Sequence, residues 1–170
     1  GNYISTIYAS HKIATQSWQS AGGNRRKEAL PHWCHSRGVK YEDGLYLPTQ
    51  KEPLTDGISG ATPRGSFDVK LRLTDKLKQF KIKIEINHST DYYPKSAKEG
   101  AANYSGGKEG SDQPAIIYST DINLTSGQKS FEAVLIGHST PDGSSGKIDA
   151  DLSTLTTALH IVKRITVNIQ

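Results

Sequence analysis

A chain of 170 residues, 34% hydrophobic and with a formal net charge of +4, is long enough to bury a sizeable core as one domain spanning 1–170. Its 21 basic residues are interspersed with 17 acidic ones, as around Lys76, Lys78, Lys81 and Lys83, which describes solvated strand faces and argues against a nucleic-acid-binding surface. No apolar run approaches the ~18 residues of a membrane span, and Cys34, the single cysteine, excludes an internal disulfide framework. The chain begins with Gly1 and contains no Met, so Gly1 reads as a processing scar behind an export signal that has been cut away.

Taken in order, residues 2–8 are β-branched and aromatic and predict a strand, with residues 11–18 as its antiparallel partner. Residues 25–30 carry helix formers and predict about one helical turn, stopped by Pro31. Residues 42–53 read as loop, with a short strand at 45–47. A glycine-rich loop at 55–66 follows, holding Gly57, Gly60 and Gly65 and four hydroxyl side chains. Two strands with strict alternation come next. In 66–74, Phe67, Val69, Leu71 and Leu73 alternate with polar residues; in 80–89, Phe80, Ile82, Ile84 and Ile86 do so. Residues 90–114 break the rhythm with a loop of about 25 residues, longer than a domain usually carries without a use. Strands resume at 115–124 and 129–139, a polar turn covers 140–146, a helical turn capped by Asp151 or Ser153 falls within 149–159, and 161–169 closes the chain as a strand. About seven or eight strands with little helix predict an all-β fold, two antiparallel sheets packed as an immunoglobulin-like sandwich.

Four groups of residues carry chemistry. In the first, His32, Cys34 and His35 offer three soft metal ligands within four residues, yet no second ligand pair accompanies them, and no metal site is expected. Trp33 and Trp18 read as core anchors. Cys34 has histidines nearby but nothing that builds an oxyanion hole, so no catalytic residue is assigned. In the second group, His88 and His138 end strands and open into the longest loops. They form a candidate ligand site with Asp91, Tyr92, Tyr93 and Tyr104; the alternative is a pair of hydrogen-bonded structural histidines. In the third, Asp142, Asp149 and Asp151 lack the spacing of a calcium loop and read as a polar turn.

The fourth group is the 55–66 loop. The order Asp56-x-x-Ser59-Gly60-Ala61-Thr62 resembles the flavinylation motif of the flavin-carrying subunits of sodium-pumping NADH:quinone reductase and their relatives. The resemblance implies that an FAD:protein FMN transferase esterifies the Thr62 hydroxyl with FMN, and that Asp56, Ser59, Gly60 and Ala61 are its recognition residues. Pro63-Arg64-Gly65 stand where those motifs continue with another hydroxyl residue. Read without the resemblance, the same stretch is a glycine-rich turn before a strand.

A wider pattern covers most of the chain. Arg25-Arg26-Lys27-Glu28-Ala29-Leu30 with Trp33, then 56–62, Glu85-Ile86-Asn87-His88-Ser89, Asp91-Tyr92-Tyr93-Pro94-Lys95, Asn103-Tyr104-Ser105-Gly106-Gly107, Ile136-Gly137-His138-Ser139 and Ala158-Leu159-His160-Ile161-Val162 occur in that order. Together they resemble the predicted periplasmic proteins grouped as domain of unknown function 2271. That resemblance implies an exported bacterial β-sandwich found in flavin-linked redox settings. The expectation is therefore a periplasmic carrier module with covalent FMN on Thr62, served by the transferase and a membrane redox protein. The alternative is a cofactor-free module that recognises a glycan, peptide or partner protein through its Tyr-rich loop.

Overall fold

The computed structural model describes residues 2–15, 26–73, 77–88, 91 and 113–170. Its regular structure is mainly strand, as an all-β chain requires. In chain order the elements are β1 (Tyr8–Ser10), α1 (His11–Thr15), α2 (Pro31–Arg37), β2 (Ile58–Gly60), β3 (Gln79–Ile86), β4 (Ile116–Asn123), β5 (Ser130–Glu132), β6 (Val134–Ser139), β7 (Ile148–Asp149), a 3-10 turn at Thr157–His160 and β8 (Thr166–Asn168).

The main sheet has four strands in the order β3-β4-β6-β7, all antiparallel. β4 is central and almost wholly buried, which is why its sequence lacks the clean alternation of β3. Ile84, Ile86, Ile116, Tyr118 and Leu135 pack with Leu152, Leu155, Ala158 and Ile165 to form one core. The β4–β6 register slips between Ile117 and Tyr118. Gly137 lies at this bulge because a Cβ there would sit 2.2 Å from the Asp149 carbonyl oxygen of β7.

A second cluster forms around β1, α1 and α2, from Ala9, Ile13, Ala14, Ala29, Cys34 and Leu47. β1 pairs in parallel with β2, and β5 pairs antiparallel with β8. The two clusters meet through β3 and the residues after it. Asn87 Nδ2 donates to the carbonyls of Ala29 at 2.9 Å and Gln113 at 3.2 Å, tying the α2 approach to the sheet. Among the described residues no helix is long and apolar enough to cross a membrane.

Several predicted elements differ from the observed ones. The strand expected over 2–8 is confined to β1, and its expected antiparallel partner is instead helix α1 over 11–15, with Ile13 and Ala14 turned into the core. Its real partner, β2, lies about 50 residues away, and period-two patterning carries no information about partners. The predicted turn of helix before Pro31 is reversed: residues 26–30 form turns and the helix begins at Pro31. Proline fits the first helical position because its fixed φ suits the helix and its missing N–H would find no helical acceptor there. Gly38, at φ 72°, ends this helix in the left-handed region.

The strand expected at 45–47 is irregular chain leaving a turn that the Tyr41 N–H closes on the Leu45 carbonyl, 2.8 Å away. Residues 66–73 enter no ladder among the described residues, and Phe67 and Leu71 are 61% and 49% exposed. The stretch at 129–139 divides into β5 and β6, because the Ala133 N–H turns aside to the Ile165 carbonyl. The helical turn expected within 149–159 falls at Thr157–His160 and is capped by Asp91, not by Asp151 or Ser153. The strand expected over 161–169 is confined to β8.

Candidate functional site

The 55–62 loop owes its shape to residues about 53 positions upstream. Trp33 Nε1 on α2 donates to Thr6 Oγ1 at 3.0 Å. Tyr3 Oη donates to Asp56 Oδ2 at 2.6 Å and also meets Thr6 Oγ1. Since the Tyr3 hydrogen goes to the carboxylate, the Thr6 hydroxyl must donate to Tyr3. The result is a one-directional relay: Trp33 to Thr6, Thr6 to Tyr3, Tyr3 to Asp56. Burial, and then the bond to Asp56, push the Tyr3 phenol up to about 12, so it stays a donor throughout the physiological range.

Two glycines let the loop lie against β1. A Cβ on Gly57 would sit 2.8 Å from both Cβ and the carbonyl oxygen of Thr6. A Cβ on Gly60 would sit 2.9 Å from Tyr8 Oη and 3.2 Å from its Cε2, so the Tyr8 ring lies across Gly60. The Tyr8 hydroxyl donates to the Ala61 carbonyl just beyond. Ser59, Ala61 and Thr62 are exposed. Asp56 and Thr62 stand beyond opposite ends of β2, so Asp56 orients the start of the loop while Thr62 is presented to solvent past its end. The same tyrosine also meets the residues that follow: the Tyr8 and Phe67 ring centroids are 5.9 Å apart, inclined at 47°.

Of the second candidate group, His88, Asp91 and His138 fall among the described residues. Ile86 pairs with Ile116, and Ile116 with His138, so both strand ends open at the same end of the sheet. His88, beyond β3, is exposed, whereas His138 is 2% exposed. His138 Nδ1 lies 2.9 Å from the Ser139 carbonyl oxygen and Nε2 lies 3.0 Å from that of Asp151. Asp91 is engaged in structure: its oxygens accept from the Thr156 hydroxyl and the backbone N–H groups of Thr156, Thr157 and Ala158. Burial alone would raise its carboxyl, but these donors outweigh it and hold the group down at about 2. Tyr92, Tyr93 and Tyr104 lie outside the described residues, as does Trp18.

The potential ligands on α2 diverge. His32 Nδ1 donates to the Gly146 carbonyl at 2.7 Å, and its Nε2 meets Lys83 Nζ at 3.0 Å. His35 stacks on Tyr46, with centroids 4.2 Å apart. Cys34 is buried and lines a cavity of about 170 Å³ shared with Lys27, His35, Tyr46 and Ser144. Among the described residues no three His, Cys, Asp or Glu side chains converge on a point where a metal would sit.

Sequence reasoning missed the residues that hold these elements. Leu30 gives the first turn of α2 no side-chain cap, and Glu85 from β3 supplies it instead, accepting from the His32 and Trp33 N–H groups at 3.1 and 2.6 Å. Burial pushes the Glu85 carboxyl up to about 8, against the lowering effect of those N–H groups and Lys83. A charged residue within an alternating strand reads as solvent-facing, so nothing in the pattern of 80–89 marks Glu85 as a cap. Tyr3, Thr6 and Tyr8 likewise carry no signal, because what they hold lies far along the chain. Compared with family models, curated protein sequences and solved structures, the chain matches none.

Proposed function

We propose that this chain is an exported bacterial carrier module in flavin-linked redox chemistry, with FMN borne on Thr62. The observation that supports the reading is the display of Thr62: an exposed hydroxyl directly after a carbonyl tethered by Tyr8, past the end of a strand, β2, that is preceded by an acid held by Tyr3. Ser59 and Ala61, small and exposed, keep bulky side chains away from the approach to Thr62, while Tyr8 covers Gly60 from the other side. An all-β scaffold, which we read as a sandwich of immunoglobulin type, would hold such a group at a fixed place while leaving it accessible to a membrane redox protein.

The attachment is a phosphoryl-group transfer. The Thr62 oxygen attacks the flavin-side phosphorus of FAD, forming a new P–O bond. The bond to the AMP phosphate breaks, AMP leaves, and the hydroxyl proton passes to a base of the transferase. No electrons are exchanged. Co-expression with an FAD:protein FMN transferase followed by intact-mass measurement tests this. The expected result is one FMN per chain, absent in Thr62→Ala; no added mass, or equal addition in Thr62→Ala, would sink the proposal.

A further inference from the structure

Thr62 lies within a small closed loop whose two feet rest on the same side chain. Ala61 is bonded through its carbonyl to the Tyr8 hydroxyl, and Phe67 meets the Tyr8 ring. Between them run Thr62, Pro63, Arg64, Gly65 and Ser66. Phe67 is 61% exposed, and Ile58, the ladder partner of Tyr8, is 47% exposed. Large apolar side chains are not left in water side by side without consequence. Here both neighbour Tyr8, Phe67 through its ring and Ile58 through the β1–β2 ladder, at the base of the loop that presents the Thr62 hydroxyl.

We propose that Tyr8 and Phe67 form the stacking surface for the planar ring system of the group carried on Thr62. This rests on the reading of Thr62 as a flavin acceptor and adds where the isoalloxazine goes. The two rings are tilted by 47°, not parallel, so they leave an open aromatic angle instead of closing on each other. Planar heterocycles stack on such faces with little regard to hydrogen-bond pattern. The ribityl-phosphate arm from Thr62 is flexible and long enough to fold back to the base of its own loop. Arg64, two residues on and exposed, is the cation nearest in sequence to the single negative charge that the phosphodiester retains.

The test is the emission of the protein-bound flavin, normalised to the FMN content of each variant by intact mass. A tyrosine in contact with an excited flavin donates an electron to it and quenches its light. The holo protein should therefore emit more weakly than free FMN. Phe67→Ala should raise the emission about two-fold or more, and Tyr8→Leu should raise it further. Phe67→Tyr, which keeps a ring, should leave it quenched. Phe67 is so exposed that its truncation should not unfold the chain. Emission equal to that of free FMN in the wild type, or unchanged in Phe67→Ala and Tyr8→Leu, would overturn the stacking surface while leaving Thr62 as acceptor. Absence of FMN mass from the wild type would remove both.

Discussion

Lys83 Nζ lies 3.0 Å from His32 Nε2, and this fixes the protonation state of the ring. A carbonyl can only accept, so the hydrogen on His32 must be on Nδ1, pointing at Gly146. An ammonium can only donate, so Nε2 must offer its lone pair. The imidazole joining α2 to β3 is therefore neutral. Burial, and then Lys83 and His35, lower its pKa, opposed by the Gly146 carbonyl. With a folded pKa below the unfolded value, the contribution is fully present above about 6.5 and is lost as pH falls through that value toward the folded one. His32→Gln should remove that acid-side loss and cost about 1–2 kcal/mol at pH 7.5. Urea midpoints between pH 5 and 7.5 measure both.

Glu85 has the opposite sign. Its folded pKa, raised to about 8 chiefly by burial, lies above the ordinary carboxyl value. Its contribution is therefore greatest below about 4.5 and is lost as pH rises through 8. Between about 6.5 and 8 the His32 effect is flat, so the Glu85 slope is read there without it. Glu85→Gln should abolish the fall in stability over that window while keeping an oxygen for an N–H of α2. Glu85→Ala leaves the His32 and Trp33 N–H groups unpaired and should cost roughly 2–4 kcal/mol at pH 6. Thermal melts of the three proteins at pH 6 and pH 8.5 decide between these outcomes.

Asp91 ties the residues after β3 to the turn at 157–160. Its carboxyl is held down at about 2, so its contribution is present above about 3.8 and is lost as pH falls toward 2. Asp91→Ala should destabilise by roughly 2–3 kcal/mol at neutral pH, because Thr156, Thr157 and Ala158 lose a charged acceptor. The difference between the two proteins should narrow below pH 3. Hydrogen exchange at the Ala158 amide reports the loss locally.

The two glycines before Thr62 should respond differently to a methyl group. At Gly57 the intruding Cβ meets the backbone of Thr6, which cannot move without disturbing β1, and Gly57→Ala should cost about 1–3 kcal/mol. At Gly60 it meets the end of the Tyr8 side chain, which can swing away, so Gly60→Ala should cost under about 1 kcal/mol. That swing should break the tether on Ala61. Circular dichroism melts give the first comparison; on the proposed role of Thr62, the extent of FMN incorporation against time gives the second.

Alternation made β3 and the all-β class legible, and the apolar run at 115–124 marked β4. Apolar residues every second position at 66–74 promised a second ladder strand just as clearly, yet 66–73 pairs with nothing among the described residues. Alternation specifies an extended chain with two unlike faces and is silent about whether a neighbour is present. Pro31 was misread because proline both ends one helix and opens the next. At the loop, residue types placed Thr62 correctly as an exposed hydroxyl. Its supports, Tyr3, Thr6 and Tyr8, are reached only through parallel pairing across about 50 residues, which no local window contains. Asp91 groups with His88 and His138 in the sequence because it follows the strand end at His88, and its use as a cap, which depends on a turn 65 residues onward, leaves no mark in the local sequence.

The relay from Trp33 to Asp56 makes the 55–62 loop a reporter on the chain that carries it. The loop takes this form only where α2 has docked on β1, since its holding contacts come from residues 3–8 and its relay begins on α2. A free peptide of residues 55–66 has the right letters but not the shape. A modifying enzyme that reads the shape would pass over nascent or misfolded chains and label those already assembled. Loading would then be a checkpoint on maturation, set by the geometry of three hydrogen bonds.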